Sequence, residues 1–231
     1  MSTLSDNLES ICQRIRNAAL KAGRDPESVR LVAVSKTVPE DRIQEAQAAG
    51  VHVFGENKVQ EALRKIEQLG HDGYGWHFIG HLQKNKVKYV SGQFERVHSV
   101  DSAGLAEKLS AQSQEQGVVT AVLVQVNVSG EASKFGVEPD ALEDLLMKAG
   151  HLPGIAVKGL MTIPPFSENA EASRKYFAAL RAMRDRLQAR NLPGISLDEL
   201  SMGMSHDFEI AIEEGATWVR VGTALFGQRV Q

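Results

Sequence analysis

Eight short β-branched runs, each followed by a longer charged segment of helical period, constrain this chain more than any other feature. Strands are expected at Leu31–Ser35, Val51–Phe54, His77–Ile79, Arg96–Ser99, Ala121–Asn127, Ile155–Met161, Glu199–Met202 and Trp218–Val221. Helices are expected at Glu40–Ala49, Lys58–Leu69, Ala103–Gln116, Asp140–Ala149, Glu168–Ala189 and His206–Glu214. Strand–helix alternation of this kind builds parallel βα units. Runs such as LVAVS and AVLVQV are nearly continuous in apolar residues, as expected of strands covered on both faces. Eight such units predict a (β/α)8 TIM barrel, with an open doubly wound sheet as the structural alternative. A further helix, from about Leu4 to Ala22, precedes the first strand. It is expected to cover the gap left by a missing or very short last helix. No linker-like or repeated segment interrupts the pattern, so residues 1–231 are read as a single domain.

Composition narrows the partners. A formal net charge of -3 argues against a nucleic-acid binder, which usually carries a basic domain. A single cysteine, Cys12, permits no intramolecular disulfide. The N-terminus lacks the basic start and apolar run of a secretory signal, and no apolar stretch approaches a membrane span of roughly 20 residues. A cytoplasmic monomer is the expectation. The histidines of WHFIGH have the spacing of a zinc helix but stand on a strand and lack the accompanying glutamate, so no metal site is expected. The basic cluster Lys84-Asn85-Lys86-Val87-Lys88 reads as a solvated helix start.

In a parallel barrel, reactive groups gather at the C-terminal ends of the strands. Lys36 stands there after the first strand, in LVAVSK, on the same face as Val32 and Val34. Partial burial among apolar neighbours favours the neutral amine that Schiff-base chemistry with an aldehyde requires. A solvated loop lysine is the plainer alternative. The turns after the last two strands, Ser201-Met202-Gly203-Met204-Ser205 and Arg220-Val221-Gly222-Thr223, carry small residues where barrels often bind phosphate. Gly203 and Gly222 would let backbone N–H groups approach an anion, and Ser201, Ser205 and Thr223 would add hydroxyls. Ordinary turn chemistry explains the same residues one at a time. Asp207 would repel an anion unless it points away. Arg220, within a strand, needs a partner or a ligand.

LVAVSKTVP, FGENKVQEA, WHFIGHLQKNK, VNVSGEASKFG, GLMTIPP, ELSMGMSHDFEIAI and VRVGTALFG run from the first strand to the last. Together they resemble the pyridoxal phosphate homeostasis protein family, whose fold is similar to the barrel domain of alanine racemase. The resemblance implies pyridoxal 5'-phosphate (PLP) as cofactor, held as a Schiff base on Lys36. It also implies a phosphate held by the SMGMS and RVGT segments and a pyridine nitrogen facing Arg220. An arginine stays protonated, so that nitrogen would have to accept, and the ring would be a weaker electron sink than one paired with a carboxylate. Against this ligand, Asn57 is a candidate partner for the ring hydroxyl and Met161 a candidate floor beneath the ring. Helix capping and core packing are their respective alternatives. A second lysine in the loop after the fifth strand, Lys134, could meet substrate or a second ligand, though a surface loop lysine is the favoured reading.

Two-base racemisation needs a second base on the opposite face of the substrate carbon. Tyr89 and Tyr176 fall in helical patterns away from the mouth, and no residues remain for a second domain. The expected function is therefore a PLP carrier in vitamin B6 homeostasis, with apo-PLP enzymes as recipients. The alternative is a PLP-dependent racemase or lyase using Lys36 and a second group such as His77 or His206. A third reading is a phosphate-ligand barrel without PLP.

Overall fold

The computed structural model describes residues 3–131 and 133–227. Its strands are β1 (Arg30–Val34), β2 (Val53–Glu56), β3 (Gly75–Phe78), β4 (Arg96–Val100), β5 (Thr120–Gln125), β6 (Ile155–Met161), β7 (Ile195–Met204) and β8 (Trp218–Val221). Each pairs in parallel with the next, and β8 returns to β1, closing the expected eight-stranded barrel. Register at the seam pairs Val32 with Arg220 and Ala33 with Val221. Closure leaves no open edge among these strands.

The helices are α1 (Leu4–Lys21), α2 (Glu40–Ala48), α3 (Val59–Leu69), α4 (Ala103–Glu115), α5 (Leu142–Ala149), α6 (Arg174–Gln188), α7 (Phe208–Glu213) and α8 (Thr223–Phe226). Gly50 and Gly215, expected to end helices in the left-handed region, have φ of 105° and 98°. The segment after β3 differs from the regular pattern. Lys84–Tyr89 forms a 3-10 helix in place of an α-helix, and its lysines leave only Val87 buried.

The N-terminal helix covers the place expected of it. Thr3 and Asp6 cap α1 reciprocally, Thr3 Oγ1 accepting from the Asp6 N–H and Asp6 Oδ2 from the Thr3 N–H. Its apolar stripe, Leu4, Ile11, Ile15, Ala18 and Ala19, is buried against the end of the barrel where α8 spans only four residues. Asn7 Nδ2 donates to the Leu225 carbonyl at 2.9 Å, and Arg14 meets Glu209 of α7 at 2.6 Å.

Two cores result. One is apolar and lies between strands and helices, where Phe54, Phe78, Leu160 and Val219 meet Ile43, Ile66, Leu109 and Phe177. The other fills the lumen and is largely polar. Arg96 of β4 reaches Glu199 of β7 at 2.7 Å, and His77 of β3 packs on Trp218 of β8 with ring centroids 4.9 Å apart. Contacts between strands so far apart in the order pass through the middle of the barrel.

Candidate functional site

The lumen is layered from the N-terminal to the C-terminal ends of the strands. At the bottom, Glu199 binds Arg30 at 2.9 Å and Arg96 at 2.7 Å, and Arg30 lies over the Trp218 ring at 3.8 Å. Burial raises the Glu199 carboxyl, but hydrogen bonds from Arg96 and Arg30 outweigh it and hold the group below the usual range. Above lies a hydrogen-bonded row. Arg220 Nη1 donates to Ser201 Oγ at 2.7 Å, Ser201 Oγ is 2.8 Å from His98 Nδ1, and His98 Nε2 is 3.0 Å from His77 Nδ1. Arginine can only donate. The row is satisfied when the Ser201 hydroxyl donates to His98 and His98 donates to His77. His77 Nε2 then faces the Glu95 carboxylate at 3.8 Å, beyond hydrogen-bond reach. Burial lowers both histidine pKa values, that of His98 well below its ordinary value, with the nearby His77, Arg220 and Arg96 charges pulling the same way. Burial thus favours the uncharged form of both rings, at His77 against the opposing pull of the Glu95 carboxylate.

Arg220 heads this row at the mouth. It is 3% exposed, and its second terminal nitrogen donates to the Thr162 carbonyl at 2.9 Å. Its partners are thus a hydroxyl and a carbonyl, both neutral, and among the described residues no carboxylate pairs with it. Burial pulls its pKa down to about 10, against the attraction of the more distant Asp207. Glu56, the last residue of β2, turns away from the mouth and pairs with Lys65 at 2.8 Å behind the barrel wall.

The two turns expected to face an anion do meet. Ser205 Oγ accepts from the backbone N–H of Gly222 at 3.2 Å and of Ala224 at 3.4 Å, so both amides of the second turn point at the first. Asp207 is turned onto its own loop, where Oδ1 accepts from the Met204 N–H at 2.7 Å. Gly203 has φ of 88°, and a Cβ there would lie 2.5 Å from that of Ala211. Its glycine is demanded by the packing of α7 as well as by the turn. Gly222 packs against Val34 at the end of β1, two residues before Lys36, so the β8 turn and the Lys36 strand are neighbours.

The family model described as alanine racemase, N-terminal domain, matches residues 6–230. A pyridoxal phosphate homeostasis protein of Aquifex aeolicus is 48% identical over 224 residues, covering 97% of each chain. The chain belongs to the pyridoxal phosphate homeostasis protein family. The structure of PipY from Synechococcus elongatus with PLP bound matches with a TM-score of 0.83 at 38% identity, covering 97% of this chain and 100% of that one. Alanine racemase from Corynebacterium glutamicum matches with a TM-score of 0.71 at 17% identity, covering 96% of this chain and 62% of that one. That likeness shows the barrel fold.

On this homeostasis-family barrel, the residues expected at the site do not all come together. Lys36, Ser205, Arg220, Gly222 and Thr223 gather around the β1–β8 seam, Thr223 exposed and Lys36 half-buried. Met161 is fully buried and pairs in register with Ser201, whose side chain points into the lumen, so Met161 faces the same way. Asn57 follows β2 at the mouth, half-buried. Ser201 is set apart from the anion turns: its hydroxyl lies in the lumen between Arg220 and His98. Lys134 is half-buried in the loop after β5, where neighbouring Phe135 stacks on His81 at 3.8 Å.

Strand-end reasoning missed His98, Lys65 and Glu61. His98 shares the strand face of Arg96, and two polar residues in alternation are the available signal. Lys65 carries an ammonium into the buried side of α3 beside Ala62 and Ile66, which is unusual for a lysine.

Proposed function

We propose that this protein holds pyridoxal 5'-phosphate as a Schiff base on Lys36, as a carrier in intracellular B6 homeostasis without turnover of its own. The buried Arg220, a cation given only neutral partners, carries the reading. Such a group is stabilised by a ligand that brings an acceptor to it. The pyridine nitrogen is an acceptor of that kind, and the donor set here fits PLP. The Ser205 hydroxyl, held in place by the Gly222 and Ala224 N–H groups, and the Thr223 hydroxyl suit its phosphate, Lys36 its aldehyde, Asn57 its ring hydroxyl and Met161 its apolar face. Gly203 would hold the turn that presents Ser205. When bound, PLP would supply an electrophilic aldehyde, and Lys36 would be the residue that holds it, as an amine suited to imine formation.

The surroundings of the two alternative bases support a carrier. His77 is enclosed in the lumen against Trp218 and His98, and at the rim His206 Nε2 donates to the Glu168 carbonyl at 3.0 Å. Ser201, through Arg220, orients the guanidinium. The same reading treats residues 1–231 as one domain acting as a cytoplasmic monomer, with apo-PLP enzymes as recipients. No helix among the described residues is long and apolar enough to cross a membrane.

The test is PLP titration followed by borohydride reduction and peptide mass mapping. The adduct is expected on Lys36 at one per chain, and Lys36→Ala should abolish both the imine absorbance and the trapped adduct. Full-stoichiometry trapping in that variant, or rapid solvent-deuterium exchange at the α-carbon of added amino acids, would overturn the site or the carrier assignment respectively.

A further inference from the structure

Lys65 is completely buried on α3, a place where methionine or leucine would satisfy the packing. Its ammonium donates to the Ser35 carbonyl at 2.7 Å, to Glu56 Oε1 at 2.8 Å and to Glu61 Oε1 at 2.7 Å. Three donors meet three acceptors, so the group is saturated. Ser35 Oγ also donates to Glu56 Oε1 at 2.7 Å, and the Thr37 N–H donates to Glu61 Oε1 at 2.5 Å. The hub therefore grips the backbone at residue 35 and at residue 37.

Between these two positions lies Lys36. Thr37 has φ of 63°, a left-handed conformation that a β-branched residue avoids. It persists because Glu61 holds the Thr37 amide while the Val38 N–H closes the turn onto the Ser35 carbonyl at 2.9 Å. With the peptide units on both sides fixed, the direction of the Lys36 Cα–Cβ bond is fixed as well. A hub that merely fastened α3 to the barrel would need no bond to Thr37 and no strained residue beside the lysine.

We propose that Lys65, Glu56 and Glu61 are positioning residues that hold the strained turn at Thr37 and thereby aim the Lys36 amine into the barrel mouth. This rests on Lys36 being the amine that meets the cofactor aldehyde. The pull on Glu61 agrees: burial alone would raise its carboxyl, but the bonds from Lys65 and the Thr37 amide lower it.

The test uses the apoprotein and a small aldehyde. Formaldehyde with cyanoborohydride methylates accessible neutral amines, and peptide mass spectrometry gives the rate at Lys36 relative to exposed Lys108. Glu61→Ala is expected to slow Lys36 about fivefold relative to Lys108 as the turn relaxes. Glu61→Gln keeps an acceptor for the Thr37 amide and should stay within about twofold of the parent. Thr37→Gly in the Glu61→Ala background should restore the rate, because glycine adopts this φ unaided. Loss of rate with rescue supports the hub even in variants of lowered melting temperature, since a general destabilisation would not be relieved by glycine. An unchanged Lys36 rate in Glu61→Ala, or a slowed rate that Thr37→Gly fails to restore, overturns it. Borohydride mapping of PLP on the parent chain runs alongside. An adduct on Lys36 with an unchanged Glu61→Ala rate sinks the hub and leaves the carrier reading standing. An adduct elsewhere with slowing and rescue sinks Lys36 as the cofactor's amine and leaves the hub as what holds the turn at Thr37.

Discussion

Arg220 and His98 share one hydroxyl, that of Ser201, and the sharing has a consequence for pH. Burial depresses the folded-state pKa of His98, and of His77 beside it, below the value near 6.5 of an unfolded chain. As pH falls through that value the unfolded state takes up protons that the native state refuses. Stability is therefore present in full above about pH 6.5 and declines below it, by at most about 1.4 kcal/mol per pH unit for each histidine. Urea midpoints at neutral and mildly acid pH should show this decline, and His98→Gln should remove one histidine's share. An unchanged slope in that variant would mean that His98 titrates normally. Much at this scale was readable from residue type and place. Lys36, Arg220 and the serine and glycine turns stand at strand ends, where a barrel exposes chemistry. The use made of Ser201 was not readable, because its partner His98 lies across the lumen, three strands away. Strand alternation says which residues share a face; it does not say which of them touch.

Among the elements, α1 was recognisable by its apolar stripe, and its role followed from the shortness of what comes after β8. Its caps and buried face make it part of the barrel's fabric. Ile11→Ala removes a side chain that is 1% exposed and should lower unfolding stability by about 2–5 kcal/mol in a single transition. Separate melting of the helix, with the barrel midpoint unmoved, would show that α1 is an accessory. The 3-10 segment Lys84–Tyr89 was not foreseeable as such. Its apolar residues are too few to set a helical stripe, so the chain turns back on local hydrogen bonds instead. The Lys65 hub escaped notice for a related reason. Attention to strand ends overlooks a helix residue whose bonds reach back to the strand.

For the whole molecule, one carboxylate ties distant parts of the ring together. Glu199 of β7 holds Arg30 of β1 and Arg96 of β4, so three strands are braced across the floor of the lumen. Its pKa lies below the ordinary range, so its contribution is complete above about pH 4.3 and is lost as pH falls through the folded value. Glu199→Gln should flatten the acid side of the stability curve and lower stability at neutral pH by about 1–3 kcal/mol, less than a fully buried pair because Arg30 is partly exposed. Denaturant titrations at pH 3.5, 4.5 and 7 would check it, and parallel curves for parent and variant would exclude the brace.

Closure at the seam between the first and last strands has one more implication, for how the polypeptide is made. The hydrogen-bonding edge of β1 stays open until residues about 190 positions later arrive to pair with it. Any fragment ending before Trp218 would present that edge, and one ending before Phe208 would also present the apolar stripe of α1, to its surroundings. Shortened or stalled copies are therefore expected to be sticky, and to need shielding that the finished ring supplies for itself.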